Sequence, residues 1–143
     1  MTETKIIRVL IADDLKLLRD VIRLHLERAA DMEVVDEAPD LDDALESTQA
    51  LRPNVIIMNG DLPPIDSAYA TALFREMGFT GAILVISMHI EDDLIQRSFL
   101  SGVNGFMNKD EIDEYLVEAI RRVHQGERYL SPQARAAYGS ISD

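Results

Sequence analysis

Ile6-Ile7-Arg8-Val9-Leu10-Ile11-Ala12-Asp13-Asp14 is a short β-branched-rich run that stops on two carboxylates. Its apolar residues are consecutive, not alternate, which predicts a strand buried on both faces of a parallel sheet. From Leu15 to Ala29 the pattern changes to helical spacing, with Leu18, Val21, Ile22, His25/Leu26 and Ala29 on one stripe. The same alternation then repeats. Glu33 to Ala38 reads as a strand, and Leu41, Ala44, Leu45 and Thr48 mark a helix closed by Arg52-Pro53. Val55-Ile56-Ile57-Met58 is a third strand, and Ala70, Leu73, Phe74 and Met77 stripe a helix from Asp66 to Met77, with Gly78 at its C-terminal cap. Ala82 to Ile86 is a fourth strand, followed by a shorter helical pattern with Ile95 and Phe99 before Gly102. Val103 to Met107 is a fifth strand, and Ile112, Leu116, Ala119, Ile120 and Val123 stripe the last helix. Five alternating units of this kind predict a (βα)5 doubly wound α/β domain, a five-stranded parallel sheet with helices on both faces.

Composition agrees with one such unit. A chain of 143 residues, 47% hydrophobic, suits a single core over residues 1–126, and residues 127–143 lose periodicity and read as a linker or tail whose early part can still pack. There is no cysteine, which excludes disulfide, thiolate-metal and cysteine-nucleophile chemistry. The apolar runs are too short to span a bilayer and the first residues lack a signal-peptide pattern, so the expectation is a soluble cytoplasmic domain without membrane contact. A net charge of -12 repels a phosphate backbone, so any DNA contact has to come from another part of a longer protein.

In open α/β sheets, functional groups collect beyond the carboxyl ends of the strands. Here those ends carry Asp13-Asp14, Asn59-Gly60-Asp61, Ser87, and Asn108-Lys109. Carboxylates to hold a hard cation, a lysine to neutralise phosphoryl charge and a hydroxyl to donate one hydrogen bond together suggest phosphoryl handling with Mg²⁺. Taken singly, Asp14 or Asp66 could be no more than a helix N-cap.

Four ordered stretches resemble the receiver domains of two-component response regulators: Ile11-Ala-Asp13-Asp14, Met58-Asn59-Gly-Asp61-Leu-Pro63-Pro-Ile-Asp66, Ile86-Ser87-Met-His, and Gly105-Phe106-Met-Asn-Lys109. Ser87-Met88-His89 and Gly126-Glu-Arg-Tyr-Leu-Ser-Pro132 are similar to the LuxR/FixJ-type branch. The resemblance, over residues 5–126, implies the flavodoxin-like receiver fold. It makes Asp13, Asp14 and the Asp61 carbonyl the Mg²⁺ ligands, Ser87 and Lys109 the phosphoryl pocket, Phe106 the aromatic switch residue, and Pro63 the shaper of the loop. It also implies a sensor histidine kinase as partner, a homodimer through the fourth helix, fifth strand and fifth helix, and a helix-turn-helix output domain outside this chain. Ile90, Ile95, Phe99, Phe106 and Tyr115 lie on or near that face, most of them expected in the core and any exposed together forming an apolar patch for self-association. Nothing in it makes the domain an enzyme.

The family's acceptor aspartate falls on Asn59, and a carboxamide does not act as the nucleophile that forms an acyl phosphate. Gly60, Pro64 and Ser67 also depart from the commonest residues of this loop. Three readings of Asn59 stay open: a natural atypical receiver, an introduced Asp-to-Asn substitution, and acceptance by Asp61 or by deamidated Asn59, since Asn-Gly is prone to cyclise. Loss of one charge from the cluster predicts a more stable unphosphorylated form, weaker Mg²⁺ binding, and Lys109 paired with Asp13 or Asp14. The competing classes are a phosphorylation-independent interaction module, a haloacid-dehalogenase-like phosphatase and a flavodoxin-like carrier. The phosphatase needs its nucleophile after the first strand, and the carrier needs a Ser/Thr/Gly-rich loop where this chain has Leu15-Lys16-Leu17-Leu18. His25, His89 and His124 lack metal-ligand spacing and read as surface residues.

Overall fold

A computed structural model describes residues 5–62, 65–88 and 90–138, with the side chain of Asp61 left out. Pro63, Pro64 and His89, each named above, lie outside the described residues. The expected alternation is present. The strands are β1 (Ile7–Ala12), β2 (Met32–Ala38), β3 (Val55–Asn59), β6 (Ala82–Ser87) and β7 (Gly105–Asn108), and the helices are α1 (Lys16–Glu27), α2 (Leu41–Leu51), α3 (Ser67–Glu76), α4 (Asp92–Ser101) and α5 (Ile112–His124). Between them lie a two-stranded antiparallel hairpin, β4 (Asp61–Leu62) with β5 (Ile65–Asp66), and a single 3-10 turn, Lys109–Glu111.

The main sheet is parallel and runs β2-β1-β3-β6-β7-β8, six strands where the sequence predicts five. The extra strand, β8 (Tyr129–Leu130), and a further helix, α6 (Pro132–Tyr138), come from the segment expected to be a linker. Two residues are too few to give a readable period, and Ser131, Ala134 and Tyr129 are buried through contacts that no local pattern announces. The packed unit therefore continues past residue 126 to residue 138.

Alternate strand residues point to opposite faces, so each strand supplies two cores. Val9, Ile11, Ile57, Leu84 and Ile86 pack under α1 and α5 with Ile22, Leu26, Leu116 and Ile120. Leu10, Ile56, Met58, Ile83, Val85 and Phe106 pack under α2, α3, α4 and α6 with Phe74, Ile95 and Ala134. This is why consecutive apolar residues were needed in β1, β3 and β6. A side chain of the size of Phe74 or Phe106, fully buried, contributes about 2–3 kcal/mol. Gly78 takes φ +99° just after α3, the left-handed conformation expected of a C-terminal cap. Arg52 takes φ +48° after α2, where Pro53 forbids the helix to continue.

Of the apolar residues expected on the fourth-helix face, Ile95 and Phe106 are core, and Phe99 lies against Tyr138 of α6 with ring centroids 6.0 Å apart. No helix among the described residues is long and apolar enough to cross a membrane.

Candidate functional site

Parallel registers bring the strand ends together. Ala12 pairs with Met58, Asn59 with Ile86, and Ser87 with Asn108, so Asp13, Asn59, Ser87 and Lys109 emerge along one edge of the sheet. The strand order places β2 and β3 on opposite sides of β1, the switch point where such sheets open a crevice.

Asp13 is the buried centre of the site, 2% exposed. Its Oδ1 accepts the Leu15 N–H at 2.9 Å and the Asn59 Nδ2–H at 3.3 Å. Its carbonyl accepts Arg19 Nη1 at 2.6 Å, and Arg19 Nε lies 3.4 Å from Glu37 Oε1. Arg19, which the sequence reading did not single out, thus steadies the backbone that carries Asp13.

Burial raises the Asp13 carboxyl above its ordinary range; the Leu15 N–H and the Lys109 charge oppose this, the Asp14 charge adds to it, and the Asn59 amide opposes it again. Asp14 is exposed beside it. Lys109 acts on Asp13 through charge at a distance and forms no ion pair within 4.0 Å with a described residue. The expected pairing with Asp13 or Asp14 is corrected accordingly: the turn that starts at Lys109 sets its backbone, and neither carboxylate lies within contact range. Asp61 contributes its backbone to the hairpin opposite Asp66. Asp66 caps α3 by accepting the Tyr69 N–H at 3.0 Å and pairs with Arg97 at 2.8 Å, so here the capping role holds.

Gly60 explains itself through Ser87. A Cβ at Gly60 would lie 2.5 Å from Ser87 Oγ and 2.7 Å from Ser87 Cβ. The Gly60 N–H donates to the Ile86 carbonyl at 2.9 Å and its carbonyl accepts the Ser67 N–H at 2.9 Å, so the loop cannot step aside. The missing side chain leaves room for the hydroxyl-bearing residue at the end of β6. Gly60→Ala is expected to cost about 2 kcal/mol by overpacking, and a second change, Ser87→Gly, to recover most of it. Urea unfolding of the two single variants and the double variant checks this; additive losses would refute the contact.

The 3-10 turn that presents Lys109 is held by a reciprocal cap. Asn108 Oδ1 accepts the Asp110 N–H at 2.8 Å and Glu111 Oε1 accepts the Asn108 N–H at 3.3 Å. The sequence carried this signal, since Asn-x-x-Glu is a capping-box spacing. Phe106 is fully buried three residues before Lys109. Among the histidines, His25 is no loose surface residue: its Nδ1 lies 2.9 Å from the Val21 carbonyl and its Nε2 2.9 Å from Asp113 Oδ1, which ties α1 to α5. Among the described residues no group of three or more acidic, histidine or cysteine side chains forms a metal cluster.

Asp13 and Asp14 offer carboxylate oxygens, the ligand type of a hard cation, while Asn59 turns its amide nitrogen toward Asp13. The Asp13 carboxylate is destabilised by burial, so a cation there would meet a real electrostatic need.

Residues 9–121 match the family model of the response regulator receiver domain. The chain is 32% identical over 127 residues to the oxygen regulatory protein NreC of Staphylococcus carnosus, covering 88% of this chain and 58% of that protein. It therefore spans less than two thirds of the length of that curated relative. A two-component response regulator of the LuxR family from Aurantimonas sp. superposes with a TM-score of 0.90 at 26% identity, covering 95% of this chain and 97% of that one. The signal receiver domain of the putative response regulator NarL from Mycobacterium tuberculosis superposes with a TM-score of 0.81 at 29% identity, over 86% of this chain and 99% of that one. With Asp13, Asn59, Ser87 and Lys109 gathered at the strand ends of this fold, the chain belongs to the response regulator receiver domains, of the kind carried by LuxR/NarL-type regulators.

Proposed function

We propose that this receiver domain regulates through protein contacts without forming an acyl phosphate at the usual position, because Asn59 occupies the family's phosphoacceptor place. The observation that carries this reading is the Asn59 side chain itself: its amide donates to Asp13, where an acceptor carboxylate would repel it. A carboxamide offers no carboxylate oxygen for attack on phosphorus. Cyclisation of Asn59-Gly60 is opposed as well, since the Gly60 nitrogen that would attack is engaged with Ile86 and the Asn59 side chain is held at Asp13.

Asp13, Asp14 and the Asp61 carbonyl are the groups that would hold Mg²⁺, with Asn59 lowering its affinity by one anionic oxygen. Bound there, Mg²⁺ would neutralise charge on phosphoryl oxygens. Lys109 supplies a fixed positive charge near Asp13, and Ser87 a hydroxyl at the neighbouring strand end.

The domain serves as the N-terminal regulatory part of a cytoplasmic LuxR-type transcription regulator, with a sensor histidine kinase as partner and with DNA contact made by an output domain. A homodimer through α4, β7 and α5 requires α6 to move, because α6 packs on β7 and α4.

The test is intact mass after incubation with Mg²⁺ and a small phosphodonor, for freshly prepared parent beside Asn59→Asp. One phosphoryl group on the variant and none on the parent is the expected result. A phosphorylated parent would overturn the proposal.

A further inference from the structure

We propose that Glu111 couples α6 to the strand-end pocket, so that the docking of α6 and the placement of Lys109 depend on each other. This rests on the reading of Lys109 as a pocket residue.

Glu111 is 6% exposed, and its two carboxylate oxygens serve two different elements. Oε1 accepts the Asn108 N–H at 3.3 Å, which closes the turn that presents Lys109. Oε2 accepts the Gln133 N–H at 3.1 Å, in the first turn of α6 and 22 residues further along the chain. A buried carboxylate cannot release one of these donors without cost, because no water replaces it inside the fold. Loosening the turn therefore weakens the hold on α6, and undocking α6 weakens the turn. The two effects are one coupling free energy and must be equal in both directions.

The rest of α6 is arranged as a cover over the switch position. The Ser131 N–H donates to the Phe106 carbonyl at 3.1 Å, and Ala134 is fully buried in the same core as Phe106. At its far end, Arg128 lies over the Phe99 ring of α4 at 4.0 Å and donates to the Tyr138 hydroxyl at 3.2 Å. α6 is thus tied at one end to the Lys109 turn and clamped at the other to α4. In this arrangement Glu111 is a positioning residue: it acts on the pocket through the backbone of Asn108.

The experiment is amide hydrogen exchange, with NMR of the Asn59 side-chain amide, on the parent, Glu111→Ala, Ala134→Asp and the double variant. Glu111→Ala is expected to speed exchange over residues 133–137 by about tenfold, the loss of one hydrogen bond to a charged group. Ala134→Asp, which puts a charge at a buried α6 position, is expected to speed exchange of the Asp110 amide and shift the Asn59 side-chain resonances. With Glu111 already removed, it should add no further change at residues 108–110. If Ala134→Asp unfolds the whole domain, Arg128→Ala with Tyr138→Ala undocks the other end and is read in the same way.

Fast exchange in α6 with residues 108–110 and Asn59 unmoved would overturn the coupling. So would α6 protection that stays within about twofold of the parent in Glu111→Ala. Neither readout depends on phosphoryl transfer, so failure of the acceptor reading shows up separately, in the mass experiment.

Discussion

With divalent cations chelated, Asn59→Asp is expected to lower the unfolding free energy at neutral pH by about 2 kcal/mol, and Mg²⁺ is expected to return most of that loss. In the parent, the Asn59 amide donates to Asp13 Oδ1 across 3.3 Å. A carboxylate in its place removes the donor and sets two anions about 4 Å apart, a repulsion of roughly 4 kcal/mol at an effective dielectric of 20 before side chains relax. Relaxation and a shared proton reduce this to about half. A third nearby anion, Asp14, already pushes Asp13 upward.

The pH dependence follows from the same groups. The parent's Asp13 carboxyl is raised above its ordinary value of 3.8, chiefly by burial, so the folded state holds that proton more tightly than the unfolded chain. Its ionised form costs stability above the folded pKa; the cost is relieved as pH falls through that value and is gone below the unfolded one. The variant sets a second carboxylate against Asp13, and protonating either one relieves their repulsion, so its deficit against the parent should shrink as the solution is acidified. Thermal melts in EDTA and in Mg²⁺ read the effect as about 6 °C at neutral pH. An Asn59→Asp domain as stable as the parent in EDTA would remove the electrostatic account of the site.

The sheet was legible because its strands are buried on both faces. Val9-Leu10-Ile11, Val55-Ile56-Ile57 and Ile83-Leu84-Val85 need apolar neighbours on consecutive positions, and consecutive apolar residues are what a sequence displays most openly. The strand-end residues were legible for a related reason: a strand of fixed direction delivers whatever follows its last apolar residue to one edge.

What the sequence concealed depends on contacts between distant positions. Tyr129–Leu130 becomes a strand because β7 offers it an edge, and Pro132–Tyr138 a helix that packs because Phe99, Phe106 and Glu111 provide its seat. Gly60 looked like a departure from a common pattern, and only the position of Ser87 shows what its missing side chain accommodates. Lys109 was expected to pair with Asp13 or Asp14, yet the turn anchored by Asn108 and Glu111 holds it more than 4.0 Å from both carboxylates, and Asp13 feels it through its charge. Asn108-x-x-Glu111 has capping-box spacing, but nothing local in it announces the second service of Glu111 to Gln133.

Arg75→Leu is expected to destabilise the domain by about 3–4 kcal/mol, and Arg75→Lys by nearly as much. The guanidinium is half-buried and has four neutral acceptors: the carbonyls of Phe79 at 2.9 Å, Gly81 at 2.7 Å and Gly102 at 2.6 Å, and Asn104 Oδ1 at 3.0 Å. It also lies over the Phe79 ring at 5.5 Å. Burial lowers its pKa, but an arginine stays charged, so the cost of burial has to be met by these oxygens. They belong to the two loops that lead into β6 and β7, the strands that deliver Ser87 and Lys109. Gly102 shares in the arrangement: at φ +113°, a Cβ there would lie 2.9 Å from Arg75 Nε. Leucine fills part of the volume and leaves the carbonyls without donors, which is the expensive half of the exchange. Lysine keeps the charge but has no planar fork, and one ammonium cannot face carbonyls on both loops at once. Urea denaturation should therefore show a lowered midpoint for both variants with little change in slope. A lysine variant within about 1 kcal/mol of the parent would mean that charge, and not the fork joining the two loops, holds the starts of β6 and β7 in register.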